Sequence, residues 1–501
     1  MSNISINDHN YIPKNILYIA LFLAFVSVSM FQGSRGLYET TEGRYALCAR
    51  ETYQNGNPLE PILHGKHHWS KPPLTYMAIA SGLAIFGENS TWGARFYLIP
   101  AFFFTVLFVY LFVKNLWDET IGQITALIYA VSPFLIAGAN SISTDTLLVL
   151  WHALTFFAFW KAYQTKQRFY IYIFWLGIGL GCITKGPMGF IPLMGILPFC
   201  LWRWLTYKEK LWFFISPIGI ALFLIVGIAW YLWENWKYPG LFQYWLFHET
   251  VGRLAEGEFN RNPEWYKIFP LYILPTIFGT GLWLFLLLYI LYKNKKQYGK
   301  LTQEHIKQSE WMLLITSFSL PFIFFLLSKS RLSLYILPVF IPLTAGMGKI
   351  FGTAVKNNII THKTLIITGI LNALIIITLK GASAYYPNAK DMKQLSNDIK
   401  PLLSQFPEVS LYCVKSEDLN GFEFYTNIPV PEIKLLEENV KEIPYTEIAK
   451  DIDIFLSEPS SAKKIILLPR KHEKTLRLLN LPDKIKTFPI NKFWLTLYCS
   501  N

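Results

Sequence analysis

The polar stretch that organises this chain covers residues 36–73 and reads GLYETTEGRYALCARETYQNGNPLEPILHGKHHWSKPP. It follows the first long apolar run, and it gathers acids, bases and three histidines where a plain connector between membrane spans would need none. At about 100° per residue, a helix over residues 42–53 places Glu42 and Tyr45 on one stripe and Arg44 on the opposite face. Glu42 is therefore predicted to face packed protein or substrate. An interfacial helix, with Glu42 in its first turn where the helix dipole favours an acid, is the alternative.

The composition is that of a polytopic membrane protein. Of the 501 residues, 52% are hydrophobic and 17% aromatic, and the apolar residues come in long runs. The formal net charge is +13, but Lys and Arg are scattered through the loops, which argues against nucleic acid as a partner. The five cysteines and the histidines His64, His67 and His68 do not have the spacing of a zinc site, so no metal is assigned to them.

Eleven apolar runs are predicted to span the membrane, at residues 16–31, 91–113, 120–139, 146–163, 169–184, 187–206, 211–232, 267–292, 311–328, 332–352 and 364–379. A further run, 72–86, has about 15 residues, short of the roughly 20 that cross the hydrocarbon, and is predicted to be re-entrant or interfacial. The predicted fold class is a polytopic α-helical membrane protein with about 11–13 spans.

The basic loops give the predicted orientation. If residues 72–86 do not cross the membrane, the basic loops all fall on one side of it. By the positive-inside rule that side is the cytoplasm. These loops lie at residues 166–168, 203–210, 293–307 and 349–363. The loop 36–73 and everything after residue 380 are then extracytoplasmic.

Two domains are predicted, a transmembrane domain over residues 1–379 and a small α/β domain over residues 380–501. In the second domain, VSLYCVK, KKIILLPR, KIKTFPI and FWLTLYC are predicted strands, and residues 389–404 and 472–479 are predicted helices. This domain has no Gly-rich phosphate loop, which favours a role in covering or positioning a membrane site.

Several basic residues fall on the outer face, where the positive-inside rule disfavours them: Lys71, Lys185, Arg253, Arg261, Lys329 and Arg331. A cation beside the end of a span can pair with a lipid phosphate, so these residues are predicted phosphate contacts. Ordinary snorkelling of cations at helix ends is the alternative.

Three more residues on the predicted outer face are candidates for the site. Asp145 stands at the start of a span and is either a helix N-cap or a catalytic acid. Glu249 lies four residues before Arg253, a spacing that allows either a structural ion pair or a substrate contact. Tyr335, at the outer end of its span, is an interfacial aromatic or a substrate contact.

In order along the chain, five segments resemble the ArnT-like and protein-mannosyltransferase-like families of polyprenyl-phosphate-sugar glycosyltransferases, of GT-C fold: TEGRYALCARE, HHWSKPPLTYMAIA, STDTLLVL, TKGPMGF and YILPVFIPL. The resemblance covers residues 16–351. It implies transfer of a sugar from an undecaprenyl-type lipid phosphate to an acceptor at the outer face of the inner membrane. The aminoarabinose lipid A transferases are the best-known bacterial members, so lipid A or lipopolysaccharide is the implied acceptor.

The chain departs from the pattern of these families at three places. The acid pair before Arg-Tyr aligns with Thr41 and Glu42, so the first acid is absent. The acid commonly found before Lys-Pro is here Ser70, and the metal-binding histidine of the aminoarabinose transferases aligns near Thr250. A divalent-metal cofactor is therefore not carried over. The predicted base is Glu42 or Asp145, with the nearby Glu39 as a further alternative.

A sugar carried on a lipid phosphate already has a good leaving group, so the enzyme must supply a base for the acceptor and cations for the departing phosphate. Partial desolvation is predicted to raise the pKa of Glu42 and so make it a better base. The predicted substrate contacts are Arg44, Tyr45, Lys71, Lys185, Glu249, Arg253, Lys329, Arg331 and Tyr335.

Two other functions remain open at the level of sequence. A protein O-glycosyltransferase of the same family would differ only in its acceptor. A lipid or sugar flippase would be a transporter, which is expected to show internal repeats and ionisable groups in mid-span. The spans here are almost free of charge and no repeat of fixed period is present, so the enzyme is favoured.

Overall fold

The apolar runs form helices, because backbone groups inside a membrane must find their hydrogen bonds within the same segment. The computed structural model describes residues 15–39, 41–256, 261–293, 308–405, 409–414, 419–433, 463–469, 485–490 and 494–499. In these ranges, seven helical segments are long and apolar enough to cross a membrane: Thr91–Leu116, Thr144–Thr165, Arg168–Tyr207, Pro217–Lys237, Ser309–Leu327, Ser333–Lys356 and His362–Tyr385. Two bent pairs of helices bring the number to nine if each pair is one span. The predicted class, a polytopic α-helical membrane protein, is confirmed.

The predicted eleven spans differ from this number at two places. The first apolar helix, Ile16–Ser29, is short; at 1.5 Å per residue it covers about 21 Å of a hydrocarbon layer roughly 30 Å thick. The predicted runs 169–184 and 187–206 both lie inside the one segment Arg168–Tyr207.

A tight turn divides that segment into two helices, Arg168–Lys185 and Ile191–Tyr207. Gly186 has a φ of +60°, and a 3₁₀ turn follows it. Gly189 packs so closely on the first helix that an added Cβ would lie 2.4 Å from the backbone nitrogen of Cys182. Residues seven apart in a continuous helix are separated by about 10 Å, so the chain folds back at this turn.

Two pairs of apolar helices are bent sharply at a short break. Glu119–Ala130 and Pro133–Ala139 meet at 62°, and Trp265–Phe278 and Leu282–Lys293 meet at 66°. The two breaks are in contact, because the backbone N–H of Phe134 donates a hydrogen bond to the backbone carbonyl of Gly279 at 3.0 Å. Proline has no N–H for the helix ladder, which accounts for the first break.

Asn372, buried in the helix His362–Tyr385, completes the hydrogen bonding of the second break. Its side-chain oxygen accepts from the backbone N–H of Leu282 at 3.1 Å, and its amide donates to the carbonyl of Thr280 at 3.0 Å. Lipid offers no partner to a freed backbone group, so this polar side chain is needed by the fold itself.

The helices outside these segments are shorter, and they are Thr41–Gln54, Leu74–Phe86, Leu241–Gln243, Met392–Gln405, Asn420–Thr426 and the π-helix Tyr244–Glu256. Leu74–Phe86 has 13 residues, in agreement with the short run predicted there. The helix predicted over residues 42–53 is present as Thr41–Gln54.

The chain packs as two compact units. The helical unit holds residues 1–30, 68–75 and 96–380, and the mixed unit holds residues 31–67, 76–95 and 381–501. The mixed unit therefore adds parts of the polar loop to the segment after residue 380. That residues 380–501 form a domain of their own stays a prediction.

The mixed unit contains a short hairpin of β1 (Ile62–Leu63) and β2 (Lys66–His67) and a five-stranded sheet. The strands of that sheet are β3 (Val409–Val414), β4 (Glu432–Ile433), β5 (Lys463–Pro469), β6 (Ile485–Pro489) and β7 (Trp494–Cys499), in the order β4-β3-β5-β7-β6. β3 pairs in parallel with β4 and β5, while β7 pairs antiparallel with β5 and β6. The four predicted strands are all present. The helix predicted at residues 472–479 lies outside the described residues.

One helix covers a face of the sheet. Met392, Leu395 and Ile399 project at helical spacing from Met392–Gln405 into a buried core shared with the sheet. Alternate residues of the strands complete that core, namely Leu411 and Cys413 from β3, Ile465 and Leu467 from β5, and Trp494 from β7.

Candidate active site

A cavity of about 790 Å³ in the helical unit collects charged residues from four distant segments. Its lining includes two lysines, two carboxylates and a tyrosine that were candidates from the sequence: Lys71, Lys185, Asp145, Glu249 and Tyr335. Neighbours in this set are 40 to 86 residues apart in the sequence, so only the fold brings them together. Concave sites with a few convergent polar groups are the usual form of a small-molecule site.

Lys185 and Asp145 form the first ion pair of this cavity. Lys185 ends the helix Arg168–Lys185, and its Nζ lies 2.5 Å from Oδ1 of Asp145. The same Nζ lies 4.2 Å from the centre of the Tyr335 ring, a cation–π contact. Both charged side chains are largely buried, with 11% and 9% exposure.

Asp145 does not have the N-cap role considered from the sequence. The N-cap of the helix Thr144–Thr165 is Ser143, whose Oγ accepts the backbone N–H of Asp145 at 3.2 Å. Asp145 is the second residue of the helix, where the dipole favours an anion, and its carboxylate is left for Lys185.

Lys71 and Glu249 form the second ion pair. Nζ of Lys71 lies 2.8 Å from Oε2 of Glu249, and the exposures of the two side chains are 13% and 8%. Glu249, on the π-helix Tyr244–Glu256, also accepts from the hydroxyl of Tyr244 at 3.2 Å. The side chain of Arg253, the partner considered from the sequence, lies outside the described part of the chain.

An aromatic wall flanks the second pair, and sequence reasoning missed it. Tyr231 and Trp245 line the cavity, with ring centres 4.9 Å apart. Trp69 and Trp230 extend the cluster, and the indole N–H of Trp245 donates to the carbonyl of Trp69 at 2.8 Å. The signal available in the sequence was the density of Trp and Tyr in residues 230–245.

Hydroxyl side chains stand at two of the places where this chain departs from the family pattern. Ser70 and Thr250 both line the cavity. The Thr250 hydroxyl donates to the carbonyl of Trp245 at 2.8 Å, and the Ser70 hydroxyl lies 2.8 Å from Nε2 of His68. Over the described residues, no group of three or more His, Cys, Asp or Glu could hold a metal. These donors do not fit a divalent ion, which prefers carboxylates or imidazoles.

The structure contradicts the raised pKa that was predicted for Glu42. Glu42 lies in the mixed unit with 5% exposure, and its carboxylate receives Arg35 Nη1 at 2.7 Å and Arg95 Nη2 at 2.8 Å. The backbone N–H of Tyr38 donates to it at 3.0 Å. Burial pushes the pKa of Glu42 upward, but the charges and hydrogen bonds of Arg95 and Arg35 outweigh burial and lower the pKa to about 2. The predicted raised pKa is wrong, and a carboxyl held in this way is a poor general base.

The other sequence candidates are not among the residues that line the cavity, or their side chains lie outside the described part of the chain. Tyr45 is buried in the mixed unit and stacks on Tyr76, and Arg44 is half-buried on the same helix. Lys329 is exposed and is not part of the cavity lining.

Arg331 is buried and is used by the fold. Its Nη1 donates to backbone carbonyls of the segment before Trp265, those of Asn262 at 3.1 Å and Pro263 at 2.6 Å. Its guanidinium therefore holds this segment of the helical unit in place, and a phosphate contact at Arg331 stays a prediction.

The chain is similar to known membrane glycosyltransferases. Residues 70–233 match the family of dolichyl-phosphate-mannose-protein mannosyltransferases. The undecaprenyl phosphate-alpha-4-amino-4-deoxy-L-arabinose arabinosyl transferase of Pseudomonas savastanoi pv. phaseolicola is 30% identical over 387 residues, which is 74% of this chain and 69% of the relative. Arabinosyl transferase 2 of Pseudomonas fluorescens is 28% identical over 70% of this chain, and the match spans 62% of that relative's length.

Solved structures show the same fold. ArnT from Cupriavidus metallidurans bound to undecaprenyl phosphate superposes with a TM-score of 0.71 at 16% identity, covering 96% of this chain and 97% of that one. The apo oligosaccharyltransferase of Archaeoglobus fulgidus gives a TM-score of 0.54 at 14% identity, covering 96% and 74%. The sequence identity to the Pseudomonas savastanoi transferase, together with this shared fold, shows that the chain belongs to the ArnT-like family of GT-C membrane glycosyltransferases.

Proposed function

We propose that this protein transfers a sugar from an undecaprenyl-phosphate donor to lipid A or lipopolysaccharide at the periplasmic face of the inner membrane. The observation that carries the proposal is the cavity in which Lys71 and Lys185 lie beside the carboxylates of Glu249 and Asp145. The named activity of the Pseudomonas relatives supports a 4-amino-4-deoxy-L-arabinose donor, and so a pentosyl transfer.

The lysines are assigned to the donor phosphate. A phosphate is a stronger acceptor for a lysine ammonium than a single carboxylate oxygen, because it carries more charge and offers several oxygens. When the donor enters, Lys71 and Lys185 exchange their carboxylate partners for phosphate oxygens. Two cations then neutralise the charge that develops on the phosphate as it leaves.

Asp145 is assigned as the base. The acceptor hydroxyl oxygen forms a bond to the anomeric carbon, and the bond from that carbon to the phosphate oxygen breaks. The electron pair leaves with the polyprenyl phosphate, and the hydroxyl proton passes to a carboxylate oxygen of Asp145. The two arginine partners of Glu42 favour Asp145 over Glu42 in this role.

Incubation of the purified full-length protein with undecaprenyl phosphate-aminoarabinose and lipid A tests the proposal. We expect lipid A to gain the mass of one aminoarabinose. An enzyme that binds the donor and leaves the lipid A mass unchanged, but glycosylates a periplasmic protein added in place of lipid A, would contradict the lipid A assignment.

We predict that Lys71→Ala and Lys185→Ala each weaken binding of undecaprenyl phosphate by about 1.5–3 kcal/mol, the usual worth of a hydrogen bond to a charged group. Native mass spectrometry of the detergent-solubilised protein measures the bound fraction. Lys329→Ala is the matched control, because Lys329 is an exposed lysine of the same unit outside the cavity. Unchanged affinity for undecaprenyl phosphate in both cavity variants would contradict the phosphate assignment and support ordinary snorkelling of the two lysines to the headgroup level.

A second prediction concerns orientation. Cysteines at Lys363 and at Lys400, both exposed, are expected on opposite sides of the membrane. A membrane-impermeant thiol reagent added to spheroplasts should label Lys400→Cys at once and Lys363→Cys only after permeabilisation, with the parent chain as the blank. The reverse pattern would place the basic loops outside and overturn the periplasmic assignment.

A further inference from the structure

A second, apolar cavity of the helical unit lies apart from the charged one. It is a groove of about 1080 Å³ between the helices Arg168–Lys185 and Ile191–Tyr207. Its floor is made of Phe159, Phe174 and Phe214, which are buried and whose ring centres lie 4.8 to 6.1 Å apart. A lipid-facing helix surface is normally convex, whereas this groove reaches inward to side chains of the core.

Side chains from both helices form the walls of the groove. Leu197, Leu201 and Trp204 line it from one helix and are about half exposed. Trp175 lines it from the other helix, and its indole N–H donates to the carbonyl of Phe214 at 2.8 Å. Exposed Trp side chains such as Trp204 are typical of the headgroup level, so one end of the groove is expected at the membrane surface.

Two exposed lysines lie at the end of the groove that is expected at the membrane surface. Lys210 lines the groove and is exposed, and Lys208 is exposed two residues before it. The acid between them, Glu209, is already shared by Arg203 at 2.6 Å and Lys166 at 3.5 Å. Within the described part of the chain, neither Lys208 nor Lys210 takes part in an ion pair. The mouth of an apolar groove therefore carries an excess of positive charge.

We propose that this groove binds one anionic glycerophospholipid, with an acyl chain on the phenylalanine floor and the phosphate on Lys210 and Lys208. A basic pocket between transmembrane helices on the cytoplasmic side is the usual site for such a headgroup. The charge at the mouth selects an anionic lipid over a zwitterionic one, and the depth of the groove separates this lipid from the fluid layer around the protein.

Native mass spectrometry of the full-length protein in detergent tests the site, with phosphatidylglycerol and phosphatidylcholine of the same acyl chains as probes. We expect phosphatidylglycerol to be retained preferentially. Each lysine near an anionic headgroup contributes about five-fold in affinity, so Lys208→Gln with Lys210→Gln should weaken phosphatidylglycerol binding roughly 30-fold and leave phosphatidylcholine binding unchanged.

Two further variants separate the headgroup from the groove. Lys363→Gln removes an exposed lysine of another basic loop and should change nothing. Leu197→Trp, at a lipid-exposed position, fills the groove and should weaken retention of both lipids. Equal retention of the two lipids by the parent protein, or no effect of the double lysine change, would overturn the proposal. One-for-one displacement of phosphatidylglycerol by undecaprenyl phosphate would also overturn it, by showing that the groove belongs to the donor.

Discussion

Asp145→Asn is expected to lower turnover by about 10²–10⁴, the usual contribution of a general base, with expression and folding unchanged. The amide keeps the shape of the side chain and cannot accept the acceptor's proton. The helix does not lose its cap, because Ser143 supplies it. Single-turnover rates at saturating undecaprenyl phosphate-aminoarabinose measure the effect.

Donor affinity distinguishes a base from a residue that only holds Lys185. If Asp145 is the base, the change frees Lys185 from its ion pair, so donor binding stays equal or tightens while turnover falls. If Asp145 only positions the lysine, the donor Kd rises and saturated turnover is near normal. Asp118→Asn is the matched control, because Asp118 is an N-cap of another helix, where Asn caps as well as Asp.

Glu42→Gln is expected to cost about 3–5 kcal/mol of stability, because it leaves the guanidinium groups of Arg35 and Arg95 buried without their shared counter-charge. Thermal unfolding of the solubilised protein, followed by circular dichroism, measures the loss. Glu51→Gln is the matched control, since Glu51 lies on the same helix and accepts from the exposed Gly65 N–H. A normally stable Glu42→Gln protein with intact donor binding and lost turnover would return Glu42 to the role of base.

The same carboxyl predicts a pH dependence of stability. The folded-state pKa of Glu42 is about 2, below its ordinary value of 4.5. A lowered pKa stabilises the fold above the unfolded pKa, and that contribution disappears as the pH falls from about 4.5 toward 2. A lowering of the pKa by this amount corresponds to about 3 kcal/mol of folding free energy. The pH dependence of Glu42→Gln should be flatter over this range.

Most of the fold was predictable from the periodicity and length of the apolar segments. The apolar runs predicted the spans, and the alternating segments after residue 380 predicted four strands, because both signals are local to a few residues. The turn at Gly186 falls between the predicted runs 169–184 and 187–206. Its tightness was not predictable, since nothing local shows that Gly189 must touch the backbone of Cys182.

The candidate site was predictable only as separate residues. Lys71, Asp145, Lys185 and Glu249 were each singled out by charge beside a span, but their pairing depends on packing between segments far apart in sequence. The error at Glu42 has the same origin. Helical periodicity predicted its burial correctly, and the sign of its pKa shift was set by Arg35 and Arg95, which no helical pattern connects to it.

The broken helix at Thr280 has a consequence for how the protein is made. The carbonyl of Thr280 and the N–H of Leu282 find their partners on Asn372, which the ribosome adds about ninety residues later. At roughly 5–20 residues per second, that delay is on the order of 5–18 s. During this interval two polar backbone groups of an inserted segment are without the amide that satisfies them in the finished protein. The segment around the break is therefore expected to stay near the translocon or near water until the helix His362–Tyr385 arrives, so this part of the membrane domain assembles late.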